Sequence, residues 1–179
     1  MKKTLAAAAV AALALIAAGC GGDESPTASA ADEWADEFCT AITTWTDSLQ
    51  NVTDQFSSAS ALSRDGLQDA ANDVQSSTET LVDDLRGLGR PETESGTAVE
   101  SSVDELTTTL ETEVANIESA AQGASGLTEI PSAISSITTS LSAMATAFAS
   151  TLDTIESEDA QGELRTALED SPACSDITS

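Results

Sequence analysis

Residues 99–121 read VESSVDELTTTLETEVANIESAA, and the spacing of their apolar side chains decides the fold. The apolar residues recur at intervals of three or four, at Val99, Val103, Leu106, Leu110, Val114, Ile117 and Ala121. Such intervals place side chains on one face of an α-helix. Polar and acidic residues fill most of the remaining positions. The stretch therefore predicts a helix with one buried stripe and a solvated face.

Three further segments carry stripes with the same spacing. The first consists of Trp34, Phe38, Ile42, Trp45, Leu49, Val52 and Phe56. The second consists of Leu67, Ala71, Val74, Thr78, Leu81, Leu85 and Leu88. The fourth in chain order consists of Ile130, Ile134, Ile137, Leu141, Met144, Phe148, Leu152 and Ile155. No segment alternates as a β-strand does, so the sequence predicts an all-α fold.

Breaks between the stripes predict where the helices begin. Ser29 and Asp32 have the spacing of a capping box at the start of the first helix. Ser63 is expected to cap the second helix, and Thr128 the fourth, where Pro131 fits the first turn.

Glycine and proline predict where the helices end. The second helix is expected to stop at residues 87–91, which include Gly87, Gly89 and Pro91, and the third at residues 123–126. Short loops favour antiparallel neighbours, so we expect an elongated up-down-up-down four-helix bundle. The segment from about Glu158 to Asp170 continues the fourth helix or, with a break at Gly162, forms a short fifth one.

The N-terminus has the parts of an export signal. Lys2 and Lys3 precede an apolar run at residues 5–18, which is too short for a comfortable membrane span of about 20 residues. The sequence Ala17-Ala18-Gly19-Cys20 then resembles the lipobox of bacterial lipoproteins, with alanine at 17 where leucine is commonest. The alternative is an ordinary secretory signal followed by a chance cysteine.

The lipobox resemblance implies cleavage between Gly19 and Cys20 and lipidation of the Cys20 thiol, with fatty acyl chains such as palmitate. Acylation of the new amine stays open. Two or more chains give stable membrane anchoring. The expected organisation is a signal peptide at 1–19, the lipidated cysteine and a flexible tether at 20–30, and a helical-bundle domain at 31–179. The expected location is the extracytoplasmic face of the cell membrane.

The charge balance excludes one class of partner. After Cys20 the chain has four arginines, no lysine or histidine, and 31 acidic residues, a formal charge of −27. Such a surface repels phosphate groups, so we expect no nucleic-acid binding. Only 3% of residues are aromatic, so leucine, isoleucine, valine and alanine must supply most of the core.

Two cysteines remain if Cys20 is lipidated. In an up-down-up-down bundle, the start of the first helix and the end of the last one lie at the same end. Cys39 and Cys174 therefore have a plausible partner in each other, which suits an exported protein. A disulfide closing so long a loop would stabilise the fold by about 5 kcal/mol on a chain-entropy estimate. Two free thiols, or a redox or metal role, are the alternatives.

The mature chain lacks most residues of enzymatic chemistry. Without histidine, lysine or tyrosine, it cannot assemble a Ser-His-Asp triad or a Ser-Lys dyad. No nucleotide-binding glycine pattern is present. Carboxylates alone can hydrolyse glycosides, but the tryptophans and phenylalanines all fall on apolar stripes and are expected in the core. We expect no catalytic residues, no cofactor and no enzyme activity.

The acidic residues are expected to form a solvated surface. Their densest groups are Asp83-Asp84, Asp104-Glu105, and Glu156 with Glu158 and Asp159. None has the residue pattern of a calcium-binding loop, and the missing histidines and CxxC pairs disfavour zinc. We therefore expect no metal site.

Two classes of function remain. The first is a non-enzymatic cell-envelope module that contacts an envelope protein or the wall or acts as a spacer, and it is the one we favour. The alternative is a carrier or sensor that binds a small apolar or cationic ligand in the bundle core. An enclosed apolar cavity of about 300 Å³ or more would favour the carrier.

The pattern as a whole resembles the small uncharacterised lipoproteins of high-GC Gram-positive bacteria. These proteins often have a tryptophan-containing first helix, a cysteine near its start and another near the C-terminus. The matching features here are Trp34, Phe38-Cys39, Trp45 and Pro172-Ala173-Cys174. The resemblance implies the outer face of the cytoplasmic membrane and names no activity.

Overall fold

The computed structural model describes residues 29–56, 63–126 and 128–175, and these residues form helices and connecting turns. The elements are α1 (Ala30–Phe56), α2 (Arg64–Leu88), α3 (Gly96–Gly123), α4 (Ile130–Glu158), α5 (Glu163–Asp170) and a 3₁₀ turn (Pro172–Cys174). No strand occurs within these ranges, so the all-α prediction is confirmed. The predicted signal peptide, Gly19, Cys20 and the tether as far as residue 28 lie outside the described residues.

Two of the three predicted N-terminal caps are confirmed. The Ser29 amide donates to the Asp32 carboxylate at 2.7 Å, and the Asp32 amide donates to the Ser29 hydroxyl at 3.2 Å. The Ser63 hydroxyl accepts the Gly66 amide at 3.1 Å. The Thr128 prediction is wrong, because α4 begins one residue later than that cap requires and Glu129 occupies the N-cap position.

Glycines end α2 and separate α4 from α5. Gly89 follows α2 with a φ of 62°, and Gly162 precedes α5 with a φ of 75°. These left-handed conformations favour glycine and stop a helix. The carboxylate of Asp159 then accepts the Arg165 amide at 2.8 Å and fixes the new helix direction. The segment after Glu158 therefore forms a separate fifth helix rather than a continuation of α4.

Helices that follow one another in sequence pack side by side. α2 contacts α1 and α3, and α3 and α4 share the most extensive contact in the described structure. α5 and the 3₁₀ turn both pack against α1, and α5 also contacts α4. The stripes of α1, α2 and α3 form a common core, in which Leu49 and Leu88 are half-buried. The side chain of Phe56 lies outside the described part of α1.

The stripe predicted for α4 is only half correct. Ile130, Ile137, Met144 and Ile155 are buried, whereas Ile134, Leu141, Phe148 and Leu152 are half-buried. Small or polar residues, Ala133, Ser140 and Thr151, occupy the buried face in their place. The helix is thus rotated, because small side chains allow close packing between helices. The four larger apolar residues lie at the edge of the core as a result.

Candidate functional site

The two cysteines of the domain are brought together. Cys39 lies in α1 and Cys174 ends the 3₁₀ turn, and their Sγ atoms are 1.92 Å apart with Cα atoms 5.0 Å apart. Both residues are buried. The predicted Cys39–Cys174 pairing is therefore confirmed at disulfide distance, and it links α1 covalently to the C-terminal segment.

Polar contacts hold this segment to α1 on both sides of the disulfide. The Ser171 hydroxyl donates to the Asp36 carboxylate, and the Thr43 hydroxyl donates to the carbonyl of Ala173 at 3.2 Å. Asp36 and Thr43 flank Cys39 at about one helical turn on either side. The C-terminal segment is thus fastened along two turns of α1, which favours a structural role for the cysteines over a redox or metal role.

The tryptophans of α1 form hydrogen bonds to α2 and to the residue that follows it, and they do not form a ligand-binding surface. The Trp34 indole N–H donates to the carbonyl of Gly89 at 3.2 Å, and the Trp45 indole N–H donates to the Thr78 hydroxyl at 3.0 Å. Both tryptophans are buried. Trp34 and Trp45 are eleven residues apart, and their partners Gly89 and Thr78 are also eleven residues apart but follow the opposite order along the chain. The two bonds therefore fix one antiparallel register.

The other aromatic rings whose positions are described support the same conclusion. Phe38 stacks on Trp34 with ring centroids 5.1 Å apart and lies 6.3 Å from the ring of Phe148 on α4. Phe38 is fully buried, whereas Phe148 is half-buried. The core assignment is therefore confirmed for Trp34, Phe38 and Trp45, and Phe148 lies at the edge.

The dense acidic groups are exposed, with one exception. Asp83, Asp84, Asp104, Glu105, Glu156 and Glu158 lie on the surface, as expected. Asp159 is buried, because its carboxylate caps α5, and the prediction of a solvated residue there is wrong. Within the three described ranges, no group of three or more acidic or cysteine side chains has the geometry to hold a metal ion.

Two exposed carboxylates have lowered pKa values. Hydrogen bonds from the Ser29 amide and hydroxyl lower the pKa of Asp32. Bonds from the Ser125 hydroxyl at 2.7 Å and the Gly126 amide at 2.8 Å lower the pKa of Glu129. Both groups order the start of a helix, and neither lies in a cleft with a second perturbed group. They are therefore structural carboxylates and do not form an acid–base pair.

The surface between α2 and α3 forms an open groove of about 490 Å³. Arg86 and Glu111 face each other across it in an ion pair at 2.8 Å, and both side chains are about half exposed. The groove is lined further by Gln75, Thr78, Glu79, Val82, Asp83, Val114, Ala115 and Glu118. This lining is acidic and open to solvent, so it suits a cation better than an apolar ligand.

The surface of α4 differs chemically from that of the other long helices that the structure describes. No charged residue occurs from Ile130 to Leu152, although 31 acidic residues follow Cys20 in the sequence. The exposed positions of this stretch carry proline, serine, threonine or alanine. Beside them lie the half-buried Ile134, Leu141, Phe148 and Leu152. This uncharged face is the candidate site for contact with another molecule.

Comparison with known proteins gives no indication of the function of this chain. No protein-family model matches the chain, and neither the curated proteins nor the solved structures contain a match. Among the described helices, none is long and apolar enough to cross a membrane.

The residues that sequence reasoning missed are those that depend on helix rotation. Ala133, Ser140 and Ala147 recur every seven residues on α4, and this heptad of small residues is the signal that could have shown the rotation. Gly96 is a second omission. A side-chain carbon at this position would lie 2.1 Å from the carbonyl oxygen of Pro91, so the turn between α2 and α3 requires glycine.

Proposed function

We propose that this chain is a lipid-anchored protein of the cell envelope that acts as a non-enzymatic interaction or structural module. The observation that carries the interaction part is the uncharged face of α4. This very acidic protein leaves large apolar side chains half-buried on the uncharged surface of α4, and such a surface is suited to contact with another molecule. The lipobox-like sequence ending at Cys20 supports the anchor.

The proposed arrangement is an elongated, antiparallel, up-down-up-down bundle of α1 to α4. The contacts between consecutive helices support it, as does the antiparallel register of the Trp34 and Trp45 bonds. The four helices have 27, 25, 28 and 29 residues. At 1.5 Å per residue, each would be about 40 Å long. α5 and the 3₁₀ turn would close the bundle between α1 and α4 at one end.

The anchor and the charge together determine how the domain would be presented. A lipid on Cys20 holds the domain within a short tether of the membrane, while a formal charge of −27 repels anionic headgroups. We therefore propose that the bundle projects away from the membrane instead of lying on it. An uncharged face on such a bundle would be available to partners in the envelope.

The anchor is tested by fractionation of cells that express the full chain. Cys20→Ser should move the protein from the membrane fraction to the soluble exported fraction and abolish incorporation of a labelled fatty acid. The matched control is the double variant Cys39→Ser/Cys174→Ser, which loses the two disulfide-bonded cysteines and should keep the label. Membrane retention and labelling of the Cys20→Ser protein would contradict the proposed anchor.

A second candidate function is supported by the groove between α2 and α3. Glu79, Asp83 and Glu118 line it with few basic neighbours, which would suit a small organic cation. Calorimetric titration of the full-length protein with spermidine would test the hypothesis that the protein carries a small organic cation. Saturable binding that Glu79→Gln weakens, and that the matched Glu100→Gln on the exposed surface of α3 leaves unchanged, would favour it. Equal loss in both variants would mean general counterion attraction.

A further inference from the structure

Four half-buried apolar residues of α4 and the two exposed residues between them share one edge of the helix, here called the seam. Six residues recur at intervals of four and three along one edge of the helix: Ile134, Thr138, Leu141, Ala145, Phe148 and Leu152. Alternating intervals of this kind keep a stripe facing a neighbouring helix over its whole length. The seam lies beside the buried line of Ile137 and Met144, and its apolar side chains pack against the core on one side only, so part of their surface stays exposed.

A line of uncharged residues on α1 follows Asp36 at intervals of three and four. Cys39 and Thr43 lie on this line under the C-terminal segment, and Phe38 next to Cys39 stacks on Phe148 of α4. The line continues through Thr46, Gln50 and Thr53, all of which are exposed. Beyond the 3₁₀ turn, this line of α1 is therefore polar and uncharged.

Charge decides which occupant fits this surface. Two copies of a chain with a formal charge of −27 repel each other wherever carboxylates face carboxylates. The outer surface of α3 carries Glu100, Asp104, Glu105 and Glu111, and its approach to a second copy would be unfavourable. From Ile130 to Leu152 there is no charge to oppose the approach. A symmetric contact also requires a self-complementary patch, which a seam of alternating large and small side chains can supply.

We propose that the seam of α4 binds the same seam of a second copy, so that two anchored chains pair side by side. The inference rests on the proposed interaction module and names its partner. Each copy would bury Leu141 and Phe148 against the other, with Thr138 and Ala145 admitting the larger side chains. A two-fold axis near the middle of the seam would place Ala145 of one copy close to the Leu141–Ala145 turn of the other.

The pairing is tested in intact membranes by thiol cross-linking of the full-length protein. Ala145→Cys places a thiol in the seam, and a short bis-maleimide should then convert the protein to a covalent dimer on a non-reducing gel. The matched control is Ala115→Cys, an exposed alanine of α3 that should stay monomeric. Equal cross-linking at both positions, or none at Ala145→Cys, would overturn the proposal.

A charge placed in the seam sharpens the same test. Thr138→Glu, added to Ala145→Cys, should lower the dimer yield at least about tenfold, because symmetry introduces the carboxylate twice. Thr138→Gln has the same size without the charge and should leave the yield unchanged. Thr112→Glu adds the same charge to α3, at an exposed threonine that also donates to a carbonyl four residues earlier, and should leave the yield unchanged. A yield that Thr138→Glu leaves intact would refute the seam.

The same cross-linking experiment distinguishes a failure of the proposed pairing from a failure of the proposed lipid anchor. The parent chain without the added cysteine should give no dimer, because Cys39 is paired with Cys174 and a lipidated Cys20 has no free thiol. A covalent dimer of the parent chain would show a free Cys20 and contradict the anchor. Monomeric Ala145→Cys protein in a membrane fraction that carries the fatty-acid label would contradict the pairing alone.

Discussion

α3 and α4 have stripes of similar sequence, but the protein uses them differently. All seven stripe residues of α3 are buried, and its outer surface is acidic. α4 buries small residues beside Ile137 and Met144, leaves Leu141 and Phe148 half-buried, and carries no charge before Asp153. An apolar stripe therefore predicts that a helix has a packing face, but it does not tell which part of that face the core of the same chain covers.

The largest effect that we expect comes from removing the Cys39–Cys174 disulfide, which holds the C-terminal segment against α1. Cys39→Ala/Cys174→Ala should lower the free energy of unfolding by about 5 kcal/mol, because the unfolded chain regains the conformational entropy that the long closed loop removes. Denaturant unfolding followed by circular dichroism measures it. Hydrogen exchange should increase first in α5 and at Phe148, while the stripe of α3 stays protected. Uniform loss of protection would contradict the expected difference between the two helices.

Truncation of one leucine on each helix tests the comparison directly. Leu110→Ala in the buried stripe of α3 should cost about 3 kcal/mol, because it removes packing contacts and leaves a cavity. Leu141→Ala at the edge of α4 should cost about 1 kcal/mol, because this side chain is only half-buried. The unfolding midpoints of the two variants check this. Equal costs would mean that Leu141 is as much a core residue as Leu110.

The turns before the two helices should differ in their tolerance of alanine. Gly96→Ala at the start of α3 should cost about 2 kcal/mol, because the added carbon would meet the Pro91 carbonyl oxygen and force the turn to shift. Gly126→Ala before α4 meets only the Glu129 carboxylate at 3.8 Å and should change stability by less than about 0.5 kcal/mol. Thermal unfolding compares them, and a destabilised Gly126→Ala protein would contradict this account of the α4 turn.

The smallest effect is a pH dependence at the start of α4. The pKa of Glu129 is lowered by its bonds from Ser125 and Gly126, so the folded protein favours the ionised carboxylate. This local contribution is present above the ordinary pKa of a glutamate and is lost as the pH falls through the lowered value. The Gly126 amide signal in an NMR titration should report the loss. Glu129→Gln should abolish that pH dependence, and an unchanged titration in this variant would refute the assignment.

Much of the fold could be predicted from the sequence because its signals are local. The spacing from Val99 to Ala121 predicts a helix by geometry alone, and the Ser29–Asp32 box acts within a single turn. The Cys39–Cys174 pair was also predicted from the sequence, because an up-down-up-down order is expected to bring the start of the first helix and the end of the last one together, and these two residues lie at disulfide distance. The prediction of a lipid on Cys20 depends on local sequence in the same way and stays a prediction.

Only the tertiary structure decided which residues of α4 face the core. The periodicity of this helix is satisfied nearly as well by the line through Ile134, Leu141 and Phe148 as by the line through Ala133, Ser140 and Thr151. The extensive contact with α3 selects the second line, because small side chains let two helices approach closely. The sequence alone thus determined that α4 is a helix with an apolar face and no charge before Asp153. Its rotation against α3 leaves Ile134, Leu141 and Phe148 half-buried at the edge of the core. This rotation is a property of packing between helices, because the two lines of residues satisfy the helical period about equally well.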